Sequence, residues 1–158
     1  MLLIGTTRFD NNTWLQNNNY RNKKNFKGCI YGCPKRIACT IPVNSGIAVL
    51  EMNNSQNKIM GIGLIVNYLR LDKNYVIYED GNYNRYVYFS KYRIDRSELK
   101  ENEESLIKYF ETITFYGSGH LKRGQGITLV PKKKIENYTY DEMPVNEFIL
   151  EMFRRRYN

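Results

Sequence analysis

Residues 46–68 read GIAVLEMNNSQNKIMGIGLIVNY. Two apolar runs, residues 47–50 and 59–66, flank a polar segment that carries Asn53, Asn54 and Lys58. Each run is too short and too rich in β-branched residues for a buried helix, which predicts two strands. A connection of about six residues suits antiparallel neighbours. Near-continuous apolarity predicts central strands covered on both faces. Gly61 and Gly63 fall on one face of the second strand, where glycine permits a sharp bend or the close approach of another backbone. Bent central strands are what a small closed barrel needs. On pattern alone, the same residues also read as a core hairpin with no further role.

Working outward, a chain of 158 residues suits one domain with a real core, residues 1–158. The hydrophobic share of 42% and charged share of 25% are those of an ordinary folded chain. The 14 tyrosines and many asparagines are not ordinary, and an AT-rich coding sequence accounts for part of that bias. A formal net charge of +8 favours anionic partners, chiefly nucleic acid, or a membrane surface. No apolar run approaches the ~18 residues of a membrane span, and residues 1–4 lack the basic flank and cleavage site of a signal peptide. Cys29, Cys33 and Cys39 are odd in number and clustered, against a secreted disulfide framework. The expectation is an intracellular protein of cytoplasm or nucleus, with no membrane partner.

In chain order, residues 2–9 read as a first strand. A polar stretch follows with the only tryptophan, Trp14, read either as an aromatic pinning a loop or as a stacking wall for a planar ligand. Residues 17–27 hold Arg21, Lys23, Lys24 and Lys27 with no acid. They read as an exposed loop, either solvated or in contact with phosphates. The spacing C-x3-C-x5-C lacks the paired ligands and the four-fold set of a zinc site. Half-buried cysteines are the better reading, so no metal or cofactor is expected. Pro34 predicts a short helical turn through residues 35–38.

Beyond the hairpin, residues 75–78 and 85–89 read as strands about an Asp80-Gly81 turn, with residues 92–94 extending the second. Asp95 and Glu98 have capping-box spacing ahead of a helix bearing Leu99, Leu106, Ile107 and Phe110. Residues 112–115 read as a strand. Residues 116–126, YGSGHLKRGQG, carry four glycines with His120, Lys122 and Arg123. They match neither a phosphate-binding P-loop nor a dinucleotide fingerprint, and read as a bent loop or as an anion cradle. Residues 127–130 are a closing strand. Pro144 opens a last helix whose Val145, Phe148, Ile149, Met152 and Phe153 form one stripe.

The pattern GIGLI at residues 61–65, the polar residues after Leu50, and the closing GQGITLVP of residues 124–131 together resemble the PUA-like barrel superfamily, in its EVE, YTH and ASCH branches. The chain is also similar to uncharacterised PUA-like proteins of large DNA viruses. The resemblance implies an α+β fold, a small twisted mixed β-barrel with flanking helices. It implies a pocket at one barrel mouth that takes a modified or flipped-out base. Thr7, Arg8, Trp14, Asn53 and Asn54 would border that pocket. Lys23, Lys24, Arg36, His120, Lys122, Arg123 and Lys132 would hold the nucleic-acid backbone. A YTH cage uses two or three tryptophans; this chain has one, so tyrosine or phenylalanine would have to serve.

The first expectation is thus a nucleic-acid-binding module, for RNA or DNA, without catalysis. Two alternatives stand beside it. One is a structural or protein-interaction domain with a protein partner, in a virus particle or factory if the protein is viral. The other is an ASCH-like enzyme acting on RNA or a nucleoside, with His120 or Lys122 as acid, base or electrostatic group.

Overall fold

A computed structural model describes residues 1–157. Their order is β1 (Leu3–Phe9), α1 (Asn11–Lys23), β2 (Cys29–Cys33), β3 (Gly46–Asn53), β4 (Lys58–Val66), β5 (Tyr86–Ser90), β6 (Tyr92–Asp95), α2 (Glu101–Phe115), β7 (Thr128–Leu129), β8 (Thr139–Tyr140), β9 (Met143–Pro144) and α3 (Val145–Arg156). The two apolar runs form β3 and β4, which pair antiparallel. β1 lies parallel to β3, and the mixed sheet has the order β6-β4-β3-β1-β7. β2 and β5 make a separate antiparallel ribbon, and β8 and β9 a short hairpin. Among the described residues no ladder joins β6 to β7.

Successive side chains of a strand face opposite ways. Ala48, Leu50 and Met52 of β3 enter one cluster with Ile62, Ile94, Leu106, Phe110, Phe148 and Ile149. Ile47 and Val49 enter a second cluster with Ile30, Tyr31, Val87 and Tyr88. The sheet is therefore sandwiched: α2 and α3 cover one face, the β2–β5 ribbon and α1 the other. That is why both central runs are apolar at nearly every position. The α3 stripe predicted from spacing, Val145 through Phe153, is buried as expected.

Several local expectations give way. Residues 17–27 are helix as far as Lys23, and Trp14 lies on that helix. Its start is a capping box: Asp10 Oδ1 accepts from the Thr13 N–H at 2.8 Å, and the Asp10 N–H donates to Thr13 Oγ1 at 3.0 Å. The residues α1 buries are Asn17 and Arg21, so it has no apolar stripe to read. Residues 34–38 hold no helical turn. Residues 75–78 are not a strand. Asn84 Oδ1 accepts from the Ile77 and Tyr78 N–H groups at 3.0 and 2.9 Å, and its Nδ2 donates to Tyr78 O at 2.7 Å, serving that backbone as a strand partner would. β5 pairs with β2, far back in the chain, and β6 joins the main sheet beside β4. The Asp95–Glu98 box caps a short 3-10 turn, Arg96–Glu98, and α2 begins at Glu101. Residues 112–115 are the last turn of α2.

Candidate functional site

β1 and β3 run in the same direction and end level, with Phe9 opposite Asn53. Past Phe9 the chain turns into α1; past Asn53 it turns through the hairpin tip. The Asn54 N–H donates to Phe9 O at 2.6 Å and locks the two ends together. A cleft of ≈ 240 Å³ opens there, well above the ~15 Å³ a single water needs. Thr7, Arg8, Asp10 and Thr13 line it from β1 and the start of α1, Asn54 from the tip, and Tyr78 and Tyr83 from the opposite wall. Phe9, Gly32, Pro34, Gln125 and Gly126 complete the lining. Two glycines are required. A Cβ on Gly32 would lie 2.3 Å from Tyr83 O, and Gly126 has φ +71°.

The polar groups of the cleft are held from behind. Asn54 Nδ2 donates to Lys122 O at 2.9 Å, which fixes its amide orientation. Its Oδ1 is buried and, among the described residues, the one buried side-chain polar atom without a hydrogen-bond partner. Tyr78 is 5% exposed, and its hydroxyl accepts from Asn17 Nδ2 at 3.0 Å. Burial pushes the Tyr78 pKa up, so the phenol stays neutral. Asn17 Oδ1 in turn accepts from Arg21 Nε at 2.9 Å. Arg21 is buried, and desolvation lowers its pKa.

Beside these groups lies a charged cluster inside the sandwich. Arg93 donates to Glu51 from two nitrogens, at 2.7 and 3.1 Å, and Tyr31 donates to Glu51 Oε2 at 2.6 Å. Burial alone would lower the Arg93 pKa; the Glu51 carboxylate outweighs it and raises the value. Gly61 and Gly63 make the room. A Cβ at Gly61 would lie 2.6 Å from Arg93 Nη2, and one at Gly63 2.2 Å from the Tyr31 hydroxyl. The glycine pair read as a backbone bend thus admits side chains.

Of the residues the resemblance placed at a pocket, Thr7, Arg8 and Asn54 line the cleft together. Asn53 does not. It is fully buried, its Oδ1 accepts from the Ser55 and Gln56 N–H groups, and it holds the tip's turn. Trp14 does not line the cleft either. It packs edge-on against Phe9, ring centroids 5.2 Å apart, with the Arg21 and Arg93 guanidinium carbons 5.4 and 5.6 Å from its ring centre.

The basic residues separate into groups. Lys23 and Lys24 line a hollow of ≈ 690 Å³ with Lys73, Tyr20 and Tyr78. Arg36 and Arg123 line another of ≈ 740 Å³ with Lys35 and Gln125. Lys122 is half-buried and donates to Asn57 Oδ1 at 2.7 Å. His120 Nδ1 accepts from the Lys122 N–H, and neither side chain lines the cleft. Lys132 is exposed on a 3-10 turn, Lys132–Lys134, outside both hollows.

Tyr78, Tyr83, Asp10, Lys35 and Lys73 escaped the sequence reading. Only Asp10 left a local signal, as a helix cap. Cys29 and Cys33 are buried in β2 and Cys39 is exposed; burial pushes the two buried thiols up to about 12. Among the described residues, no group of three His, Cys, Asp or Glu side chains gathers to hold a metal, and no helix is long and apolar enough to cross a membrane. No family model, curated protein or solved structure matches the chain.

Proposed function

We propose that the chain is a nucleic-acid-binding module of PUA-like type, taking one base, natural or modified, into the cleft at the ends of β1 and β3. In this reading the β2–β5 ribbon, folded over the Ile47 and Val49 face, is the second wall of the barrel. The observation that carries it is Asn54, which lines a cleft walled by Tyr78 and Tyr83 and whose buried Oδ1 has no hydrogen-bond partner among the described residues. An unpaired buried acceptor costs ~1–3 kcal/mol, which a ligand N–H recovers. Every base offers an N–H on its pairing edge or its exocyclic amine, and a π-face for tyrosine. Surrounding cations hold phosphates, which makes affinity salt-dependent.

The test is fluorescence anisotropy with single-stranded RNA and DNA across a salt series. Binding that weakens steeply with salt is expected. Asn54→Leu should abolish the preference for base-bearing over abasic strands while leaving charge-driven binding. Absence of binding to either polymer at low salt overturns the reading.

A further inference from the structure

Resting on that reading, we infer that the ligand is an internal nucleotide of a single strand, whose two flanks lie in the two basic hollows on either side of the cleft. Each hollow shares a wall with the cleft: Tyr78 lines the cleft and the Lys23–Lys24–Lys73 hollow, and Gln125 lines the cleft and the Lys35–Arg36–Arg123 hollow. The cleft thus adjoins both hollows, which share no lining residue with each other.

The chemistry of the two hollows matches. The first carries three lysines against one acid, Glu79; the second carries one lysine and two arginines and no acid. Among the described residues none of these six cations is in an ion pair. The carboxylates that form ion pairs do so elsewhere, with Arg70, Arg93, Arg96, Arg154 and Arg156. Three of the six instead sit near tyrosine rings: Lys24 at 5.8 Å from Tyr20, Lys73 at 5.1 Å from Tyr75 and Arg36 at 5.2 Å from Tyr86. Exposed cations interleaved with aromatic rings are what a single-stranded polynucleotide track requires.

A free nucleotide placed in the cleft carries its phosphate to one side only. It leaves one cluster of unpaired cations without a counter-charge. A strand that continues in both directions engages both. Single-stranded nucleic acid also turns a base outward at the least cost, since a duplex must first unpair and unstack.

The probe is DNA of about nine residues, abasic except for one adenine at the centre, the 5′ end or the 3′ end. A wholly abasic strand is the control. The variants are Lys24→Glu with Lys73→Glu in one hollow, and Arg36→Glu with Arg123→Glu in the other. All these side chains are exposed, so the fold should survive, and circular dichroism checks this. The centred adenine should bind tightest. Each pair should weaken it about tenfold or more at moderate salt and lower its salt slope by about two. A strand with adenine at one end should respond to one pair and ignore the other, with the assignment reversed at the opposite end.

The inference is overturned if adenine position does not matter, if either pair leaves the centred strand unaffected, or if free adenosine monophosphate competes as well as the strand. Those results leave base binding itself standing. If the adenine strands bind no better than the abasic control, base capture falls as well.

Discussion

The backbone at Gly63 and the hydroxyl of Tyr31 occupy space that a single methyl group would claim: a Cβ on Gly63 would lie 2.2 Å from the Tyr31 oxygen. That hydroxyl is committed to Glu51 at 2.6 Å. Gly63→Ala should therefore cost about 2–3 kcal/mol, by overpacking and by disturbing a buried hydrogen bond. Urea denaturation measures it. Tyr31→Phe in the same background should recover part of the loss, the sign of coupling between neighbours. Full additivity of the two changes would refute the steric account.

Glu51 and Arg93 are 2% and 7% exposed. Removing one partner of such a pair leaves a buried charge uncompensated. Glu51→Gln should cost about 3–5 kcal/mol. Glu151, paired with Arg154 on the surface at 3.4 Å, is the contrast, and Glu151→Gln should stay within about 0.5 kcal/mol. Equal denaturation midpoints for the two variants would contradict this ranking.

Acid should unfold the protein through its paired carboxylates. For Glu103 burial pushes the pKa up, but Arg156 at 2.6 Å outweighs it, and the net shift is downward. Glu104 is lowered by its bonds to Arg96. A depressed folded pKa means that the unfolded chain binds more protons. The contribution is therefore complete above the ordinary carboxylate value of about 4.3 and is lost as pH falls through the lower folded value. Stability should be level from pH 8 to about 5 and fall below about 4. Glu103→Gln should lower the plateau and make the acid limb shallower. A limb unchanged in steepness would show that the carboxylate is not linked to folding as described.

Trp14 is a brace and not a cleft wall. Trp14→Phe should lower the thermal midpoint, through loss of its contacts with Phe9, Arg21 and Arg93, yet keep affinity for single strands within about twofold. Asn54→Leu should reduce affinity for base-bearing strands much more. The reverse order, with Trp14 decisive for ligand and Asn54 indifferent, would move the binding site away from the cleft.

The parts of the fold legible in the sequence are those where burial imposes a period. β3, β4 and the α3 stripe were readable because each carries an apolar pattern long enough to fix its type. α1 was not, because what it buries is Asn17 and Arg21, and polar residues leave no hydrophobic period. Residues 75–78 misled for the converse reason. Their β-branched and aromatic residues are those of a strand, but the partner for their backbone is the side chain of Asn84. At the cleft, Thr7, Arg8 and Asn54 were named through the resemblance, which places pocket residues at strand ends. Tyr78 and Tyr83 were hidden among many tyrosines, and only tertiary structure brings them opposite β1. The Glu51–Arg93 pair was invisible for a similar reason, since nothing local ties residues so far apart.

The placement of β1 between β3 and β7 bears on how the protein is made. The strand precedes both of its neighbours in the chain, which lie at Gly46–Asn53 and at Thr128–Leu129. Its second edge stays open until β7 has been translated. Gln125 and Gly126, just before β7, close one wall of the cleft. On the proposed reading, ligand capture should consequently be lost all at once along a series of C-terminal truncations that reaches β7, so that binding doubles as a gauge of the closed sheet.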